Sequence, residues 1–196
     1  MNPFITHQIK ASIEVKQAIL ADAAMIGTLR QTAEAAIQAY RNGHKLLLAG
    51  NGGSAGDAQH IAGEMVNRFR FDRPALPAVA LSTDTSVLTA IGNDIGFEQV
   101  FARQIEALGM AGDMFVGIST SGKSPNIIRA LQVCKKKGII RVGFTGQGGG
   151  AMAPYCDYCL AVPSRETPRI QEAHILIAHI FCALVEEALF GKGFAS

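Results

Sequence analysis

Five short apolar runs punctuate this chain, at 45–49, 78–82, 114–119, 139–145 and 158–162. Each has the length of a strand, and continuous rather than alternating hydrophobicity marks strands covered on both faces. Most are followed by stretches with helical spacing of apolar residues, and such alternation builds a parallel sheet. The pattern predicts an α/β fold: a flavodoxin-like three-layer α-β-α sandwich around a five-stranded parallel sheet. Ahead of the first strand, Ile5, Ile9 and Ile13 recur every four residues, and Met25, Ile26, Leu29, Ala33, Ile37 and Tyr40 continue a helical stripe. Two helices are therefore expected in an N-terminal segment of about 1–43, within one domain spanning 1–196. The βαβ pattern dictates no partner for the first helix, so its stripe is free to meet its own domain or another subunit.

Composition agrees with one well-buried domain. The chain has 196 residues, 48% hydrophobic and 17% charged, with a net charge of +2. That charge is too small and too dispersed for a nucleic-acid or membrane surface. The basic run Lys135-Lys136-Lys137 precedes Gly138 and suits a helix C-terminus, where cations complement the helix dipole. No N-terminal stretch combines a basic start, an apolar run and a small-residue cleavage site, so a cytoplasmic location is expected. The most apolar long segment, Ala173 to Phe190, contains His174, His179, Glu186 and Glu187 and reads as a buried helix rather than a membrane span. Cys156 and Cys159 have redox-motif spacing, but they lie on a strand rather than at a strand-to-helix turn, and all four cysteines are read as structural.

The chemistry concentrates in two loops that each follow a strand. The first contains Gly50-Asn-Gly-Gly-Ser54; the second contains Ser119, Thr120, Ser121 and Ser124, four hydroxyls within six residues. Ser54 and Ser124 are expected N-caps, with Pro125 at the favoured first helical position. Both loops would open helices, whose free N–H groups and partial positive charge hold an anion. In open α/β sheets ligands sit beyond the carboxyl ends of the strands, near the reversal of strand order. Asn93-Asp94 is a third polar pair able to approach that crevice, although a plain turn between Gly92 and Gly96 needs the same residues.

Neither loop has the Gly-x-x-x-x-Gly-Lys-Ser/Thr of a nucleotide P-loop. The dinucleotide fingerprint fails as well, because Ala55 stands where its third glycine belongs. His60 and Glu64 are four residues apart on the helix expected after Ser54, about 6 Å along one face, so they can meet at one ligand or serve as an ordinary helical pair.

Taken together, Gly50-Asn-Gly-Gly-Ser54, Asp57-Ala-Gln-His60 with Glu64, Arg73-Pro74, Gly92-Asn-Asp94, Gly117-Ile-Ser-Thr-Ser-Gly122 with Ser124, and Arg169-Ile-Gln-Glu172 followed by His179 closely resemble the sugar isomerase (SIS) domain family, specifically its phosphoheptose isomerases. The resemblance spans nearly the whole chain. It implies interconversion of sedoheptulose 7-phosphate and D-glycero-D-manno-heptose 7-phosphate, the entry to bacterial heptose synthesis for lipopolysaccharide or capsule. It implies a homotetramer with active sites between subunits, and zinc held by His60, Glu64, Gln171 and His179. It implies phosphate binding by Ser119, Thr120, Ser121 and Ser124, with Asn51, Gly52, Gly53, Ser54, Asn93, Asp94 and Gln171 at the sugar.

Aldose–ketose isomerisation needs a base beside the carbonyl and an acid/base group between the two oxygens of an enediol; one carboxylate and one histidine suffice. The resemblance assigns these roles to Glu64 and His179. Gln171 and His179 are separated by about 12 Å of helical rise, so they meet only if Gln171 reaches inward from a loop or first turn, or if they belong to different subunits. His174 is expected in the core or an interface. The competing reading is a noncatalytic SIS-domain adaptor for a replication initiator, which the same resemblance accommodates through Ala58-Gln-His60 and Leu88-Thr-Ala-Ile91. A sugar-phosphate sensor and an isomerase for another phosphosugar share the fold too; Glu64 favours the enzyme.

Overall fold

Residues 2–191 are described by the computed structural model. The five strands are β1 (Leu46–Gly50), β2 (Ala78–Ala80), β3 (Met114–Ser119), β4 (Ile140–Thr145) and β5 (Tyr158–Ala161). They pair in parallel in the order β2-β1-β3-β4-β5, each within two residues of its apolar run. Helices α1 (Pro3–Ala21) and α2 (Ala23–Arg41) precede β1, and α3 (Gly53–Val66) joins β1 to β2. Next come α4 (Thr85–Asp94) and α5 (Val100–Leu108) between β2 and β3, α6 (Pro125–Lys137) between β3 and β4, and α7 (Thr167–Phe190) after β5.

The continuous apolar runs serve two cores. Leu46, Leu48, Met114, Val116, Ile118, Val142, Phe144 and Leu160 project to one face. Leu47, Ala49 and Phe115 project to the other, against Ile105 of α5 and Ile127 and Leu131 of α6. Crossovers between parallel strands keep one hand. The β1-to-β2 connection runs across the sheet opposite to the other crossovers, so α3 lies on the face away from α4, α5 and α6. That face of β3, β4 and β5 needs further cover, which α2 and α7 supply through Ala33, Ile37, Ala173, Ile177, Phe181 and Val185. Each large apolar side chain so buried contributes about 1.5–3 kcal/mol.

The N-terminal helices break at Asp22, which ends α1 and whose Oδ1 accepts a 2.9 Å hydrogen bond from the Met25 N–H at the start of α2. On α2, Met25, Ala33, Ile37 and Tyr40 are buried, whereas Ile26 of the expected stripe is exposed. On α1 no residue is buried, and Phe4, Ile5, Ile9 and Ile13 are exposed. The Gln8 carbonyl accepts from Arg169 at the start of α7, and half-buried Val15 and Ile19 pack against the core, so α1 is held by a face other than its exposed stripe. Lys135-Lys136-Lys137 form the last turn of α6 as expected, and Lys137 reaches the Glu106 carbonyl at 2.7 Å.

Buried polar groups are mostly paired. The Asp113 carboxylate takes the Lys45 ammonium at 2.7 Å and the N–H groups of Lys45 and Met110. Burial would raise its carboxyl, but these hydrogen bonds hold it below its usual range. Cys134, Cys156, Cys159 and Cys182 are free, and burial pushes the thiols of Cys134 and Cys182 up to about 12. His174 is fully buried beside Phe144, its Nε2 3.1 Å from the Thr145 carbonyl oxygen.

Burial lowers the His174 pKa from 6.5 to about 4, against the opposing Thr145 hydrogen bond. Above pH 6.5 the ring is neutral in both folded and unfolded chains. As the pH falls from 6.5 towards 4 the unfolded chain takes a proton that the folded chain refuses, so stability is lost. Urea unfolding at pH 7 and pH 4.5 should therefore show an acid-linked loss that is smaller in His174→Gln than in the parent, by on the order of 2 kcal/mol. Equal losses in the two proteins would show that His174 is not buried in its neutral form.

Candidate active site

Strand order reverses between β1 and β3, so the chain leaves these neighbours in opposite directions and opens a crevice at their carboxyl ends. Both hydroxyl- and glycine-rich loops lie there. Gly52, at φ +55°, occupies the N-cap of α3, a left-handed conformation that L side chains rarely adopt. Ser54 is therefore not the cap expected from sequence; it lies buried in the first turn of α3. Ser124 does occupy the N-cap of α6, with Pro125 at the first helical position, but its hydroxyl does not cap the helix. It pairs with the buried Ser119 hydroxyl at 2.8 Å. Thr120 is half-buried and Ser121 exposed, with the Ser121 Oγ accepting from the Lys123 N–H at 3.2 Å.

The two loops are fastened to each other by a reciprocal amide pair. Asn51 Nδ2 donates to Asn126 Oδ1 at 3.0 Å, and Asn126 Nδ2 donates to Asn51 Oδ1 at 2.8 Å. A cavity of about 180 Å³ opens beside this pair, lined by Asn51, Phe97, Glu98, Ser124, Pro125 and Asn126. Asn126 carried no signal in the sequence, since its partner lies 75 residues away and only the sheet order brings them together. A larger cavity, about 670 Å³ between β2, α4 and α5, holds none of the expected site residues.

Two turns along α3 from the first loop, a second cluster forms. His60 Nε2 lies 3.2 Å from Glu64 Oε1 and 2.9 Å from Nε2 of His179 on α7. The ligand atoms of His60, Glu64 and His179 all lie within 4.8 Å of one another. The Phe69 ring stacks on His179, centroids 5.4 Å apart. Asp57, one turn before His60, has a buried Oδ2 without a hydrogen-bond partner among the described residues. Burial raises its carboxyl, against the opposing charge of His60.

Gln171 lies elsewhere. It sits near the start of α7, and its amide packs against Gly53: a Cβ on Gly53 would stand 2.5 Å from Gln171 Nε2. Because Gln171 meets Gly53 while His179 meets His60, α3 and α7 run side by side in the same direction. Within one chain Gln171 thus belongs to the loop end of α3 and not to the histidine cluster about 10 Å further along. Asn93 and Asp94 end α4 rather than forming a free turn; both are exposed, and Asn93 Nδ2 donates to Asp94 Oδ1 at 2.7 Å.

This arrangement defines a class: a parallel α/β domain with hydroxyl- and glycine-rich loops at the switch point and a His–Glu–His cluster between α3 and α7. The SIS domain family model matches residues 10–146, and the chain belongs to that family. Within it the chain groups with the phosphoheptose isomerases, enzymes of the aldose–ketose isomerase type. It is 65% identical over 196 residues to the phosphoheptose isomerase of Aneurinibacillus thermoaerophilus, covering 100% of this chain and 99% of that one. It is 60% identical over 195 residues to phosphoheptose isomerase 2 of Campylobacter jejuni, covering 100% and 97%. The structure of phosphoheptose isomerase GmhA from Neisseria gonorrhoeae superposes with a TM-score of 0.88 at 44% identity, over 93% of this chain and 97% of that one.

The amide pair predicts a measurable coupling between the loops. Asn126→Ala leaves the half-buried Asn51 without its partner, and inorganic phosphate binding measured by calorimetry should weaken by about tenfold with an intact fold, the scale of one lost hydrogen-bond partner. Unchanged phosphate affinity would remove the pair from the anion site.

Proposed function

We propose that this enzyme converts sedoheptulose 7-phosphate to D-glycero-D-manno-heptose 7-phosphate, the first step in heptose precursor synthesis for lipopolysaccharide or capsule. The observation that carries the reading is the meeting of His60, Glu64 and His179 two helical turns from a pair of anion-binding loops. One end suits a phosphate and the other a carbonyl, as an extended sugar phosphate requires. The 65% identity to a phosphoheptose isomerase supports the same substrate class.

At the loop end, the Ser119–Ser124 hydroxyls and the N-terminus of α6 offer donors to the phosphate. At the other end, Glu64 removes the proton from C1 of the open-chain ketose, and the electron pair moves to form the C1–C2 double bond of a cis-enediol. His179 transfers a proton between the oxygens on C1 and C2. Glu64 then returns its proton to C2, leaving the carbonyl at C1. No atom is gained or lost overall.

Zinc fits the donor set. Two imidazole nitrogens and a carboxylate converge within 4.8 Å, and nitrogen and oxygen donors of this kind bind zinc. His60, Glu64 and His179 would hold it, with Gln171 completing the set only if it comes from another subunit. When bound, zinc would supply polarisation of the substrate oxygens. A homotetramer with shared sites accords with the exposed apolar stripe of α1 and with the 45% exposure of the His60 side chain. A cytoplasmic location suits an enzyme of sugar-phosphate metabolism.

NMR-monitored conversion of sedoheptulose 7-phosphate by the purified protein, with and without added zinc, tests the reading. The parent should turn over, whereas Glu64→Gln and His179→Ala should retain oligomerisation and lose activity by at least the roughly hundredfold typical of a missing acid/base group. Turnover unaffected in both variants would sink the assignment. Sugar-phosphate binding without turnover by the parent would favour a sensor, and association with a replication initiator in its place an adaptor.

A further inference from the structure

We propose that Phe69 is a positioning residue for His179, held over the imidazole by a clamp on its own backbone; the proposal deepens the isomerase reading and rests on it for its kinetic consequence. After α3 ends, the chain runs through 67–77 without regular structure, yet one part of it is anchored. Glu186, on α7, is fully buried and uses its carboxylate as a double acceptor. Its Oε1 takes the Phe69 N–H at 2.8 Å and its Oε2 the Arg70 N–H at 2.7 Å.

Arg73 completes the clamp. Its Nε donates to Glu186 Oε1 at 2.9 Å, and its other nitrogens donate to the carbonyls of Met65 at 2.8 Å and Glu64 at 2.7 Å. Both side chains are essentially excluded from solvent, at 1% and 0% exposure. The pair thus grips the main chain of the residue that carries the base while fixing Phe69. Glu186 lies seven residues beyond His179, nearly the same face of α7 and about 10 Å along it. From this anchor the Phe69 side chain reaches back to stack on the His179 ring at an interplanar angle of 28°.

The stack has a chemical purpose. An imidazole turns about its last torsion between two orientations of similar energy, and the turn exchanges Nδ1 with Cδ2 and Nε2 with Cε1. Only one orientation presents Nε2 to His60 at 2.9 Å and keeps the ligand atoms of the three side chains together. With Phe69 stacked on it and the tilted His60 ring 5.1 Å away, His179 cannot turn without displacing a neighbour. Phe69 itself is only half-buried and packs at the margin of the core, so leucine in its place keeps apolar contact there while removing the stacked ring.

The test compares the intact purified enzyme with Phe69→Leu and Phe69→Tyr. Three readouts are needed: thermal stability, kcat and KM for sedoheptulose 7-phosphate, and the His179 Cε1–Hε1 resonance in protein labelled with ¹³C-histidine, assigned by its absence in His179→Ala. Phe69→Leu should melt within a few degrees of the parent, lower kcat by about tenfold with KM within about twofold, and move the His179 resonance downfield as the ring current is lost. Phe69→Tyr should restore both kcat and the resonance. The proposal is overturned if the leucine variant keeps parental kcat and resonance, raises KM alone, or fails to fold, or if tyrosine does not rescue. Should the parent itself not convert the sugar, the isomerase reading falls, and the His179 resonance still decides whether Phe69 orients the ring.

Discussion

The reversal of strand order between β1 and β3 is the constraint on which the rest of this molecule depends. It sends one crossover, α3, across the sheet opposite to the others, and conserved crossover hand then places α3 alone among the connecting helices on its face. A single helix cannot cover five strands. The remaining surface is covered by helices from the ends of the chain, and α7 takes the place beside α3. The meeting of His60 with His179, 119 residues apart, is thus a by-product of covering a sheet. The same reversal opens the crevice in which Asn51 and Asn126 join the two loops.

Within that framework the Arg73–Glu186 pair is an expensive choice. Removing two charges from water costs several kcal/mol per ion, which their attraction offsets only when further hydrogen bonds satisfy both groups. Here they do: the carboxylate accepts from two backbone N–H groups and the guanidinium donates to backbone carbonyls. An apolar pair of the same volume would fill the space, but it could not hold an irregular segment against a helix. The ion pair fixes a loop after α3 beside the His60–Glu64–His179 cluster.

The site therefore has two ends of different physical character. The loop end consists of helix N-termini, hydroxyls and amides, groups that offer hydrogen bonds without titrating. The cluster end consists of two imidazoles and a carboxylate, groups of a kind able to exchange protons or hold a metal, and the His60 and Glu64 side chains are only partly buried, so solvent reaches them. Helix α3 is the rigid ruler between the two, beginning at Gly53 against Gln171 and reaching His60 and Glu64 two to three turns later.

The strands, the position of the two hydroxyl- and glycine-rich loops at strand ends and the helical partnership of His60 with Glu64 were determined by sequence alone, because each depends on spacing within a short stretch of chain. Continuous runs such as 46–49 encode burial on both faces, and an interval of four encodes a shared helical face. His179 was legible only through the family resemblance, since nothing in its own neighbourhood names its partners. Tertiary structure decided the rest. It placed Gly52 rather than Ser54 at the cap, turned the Ser124 hydroxyl to Ser119, and left the α1 stripe uncovered. It also made Glu186 a clamp, although locally Glu186 reads only as a charge in an apolar helix. Local periodicity records which face of an element is buried, but the identity of the groups that meet there is set by packing between segments more than a hundred residues apart.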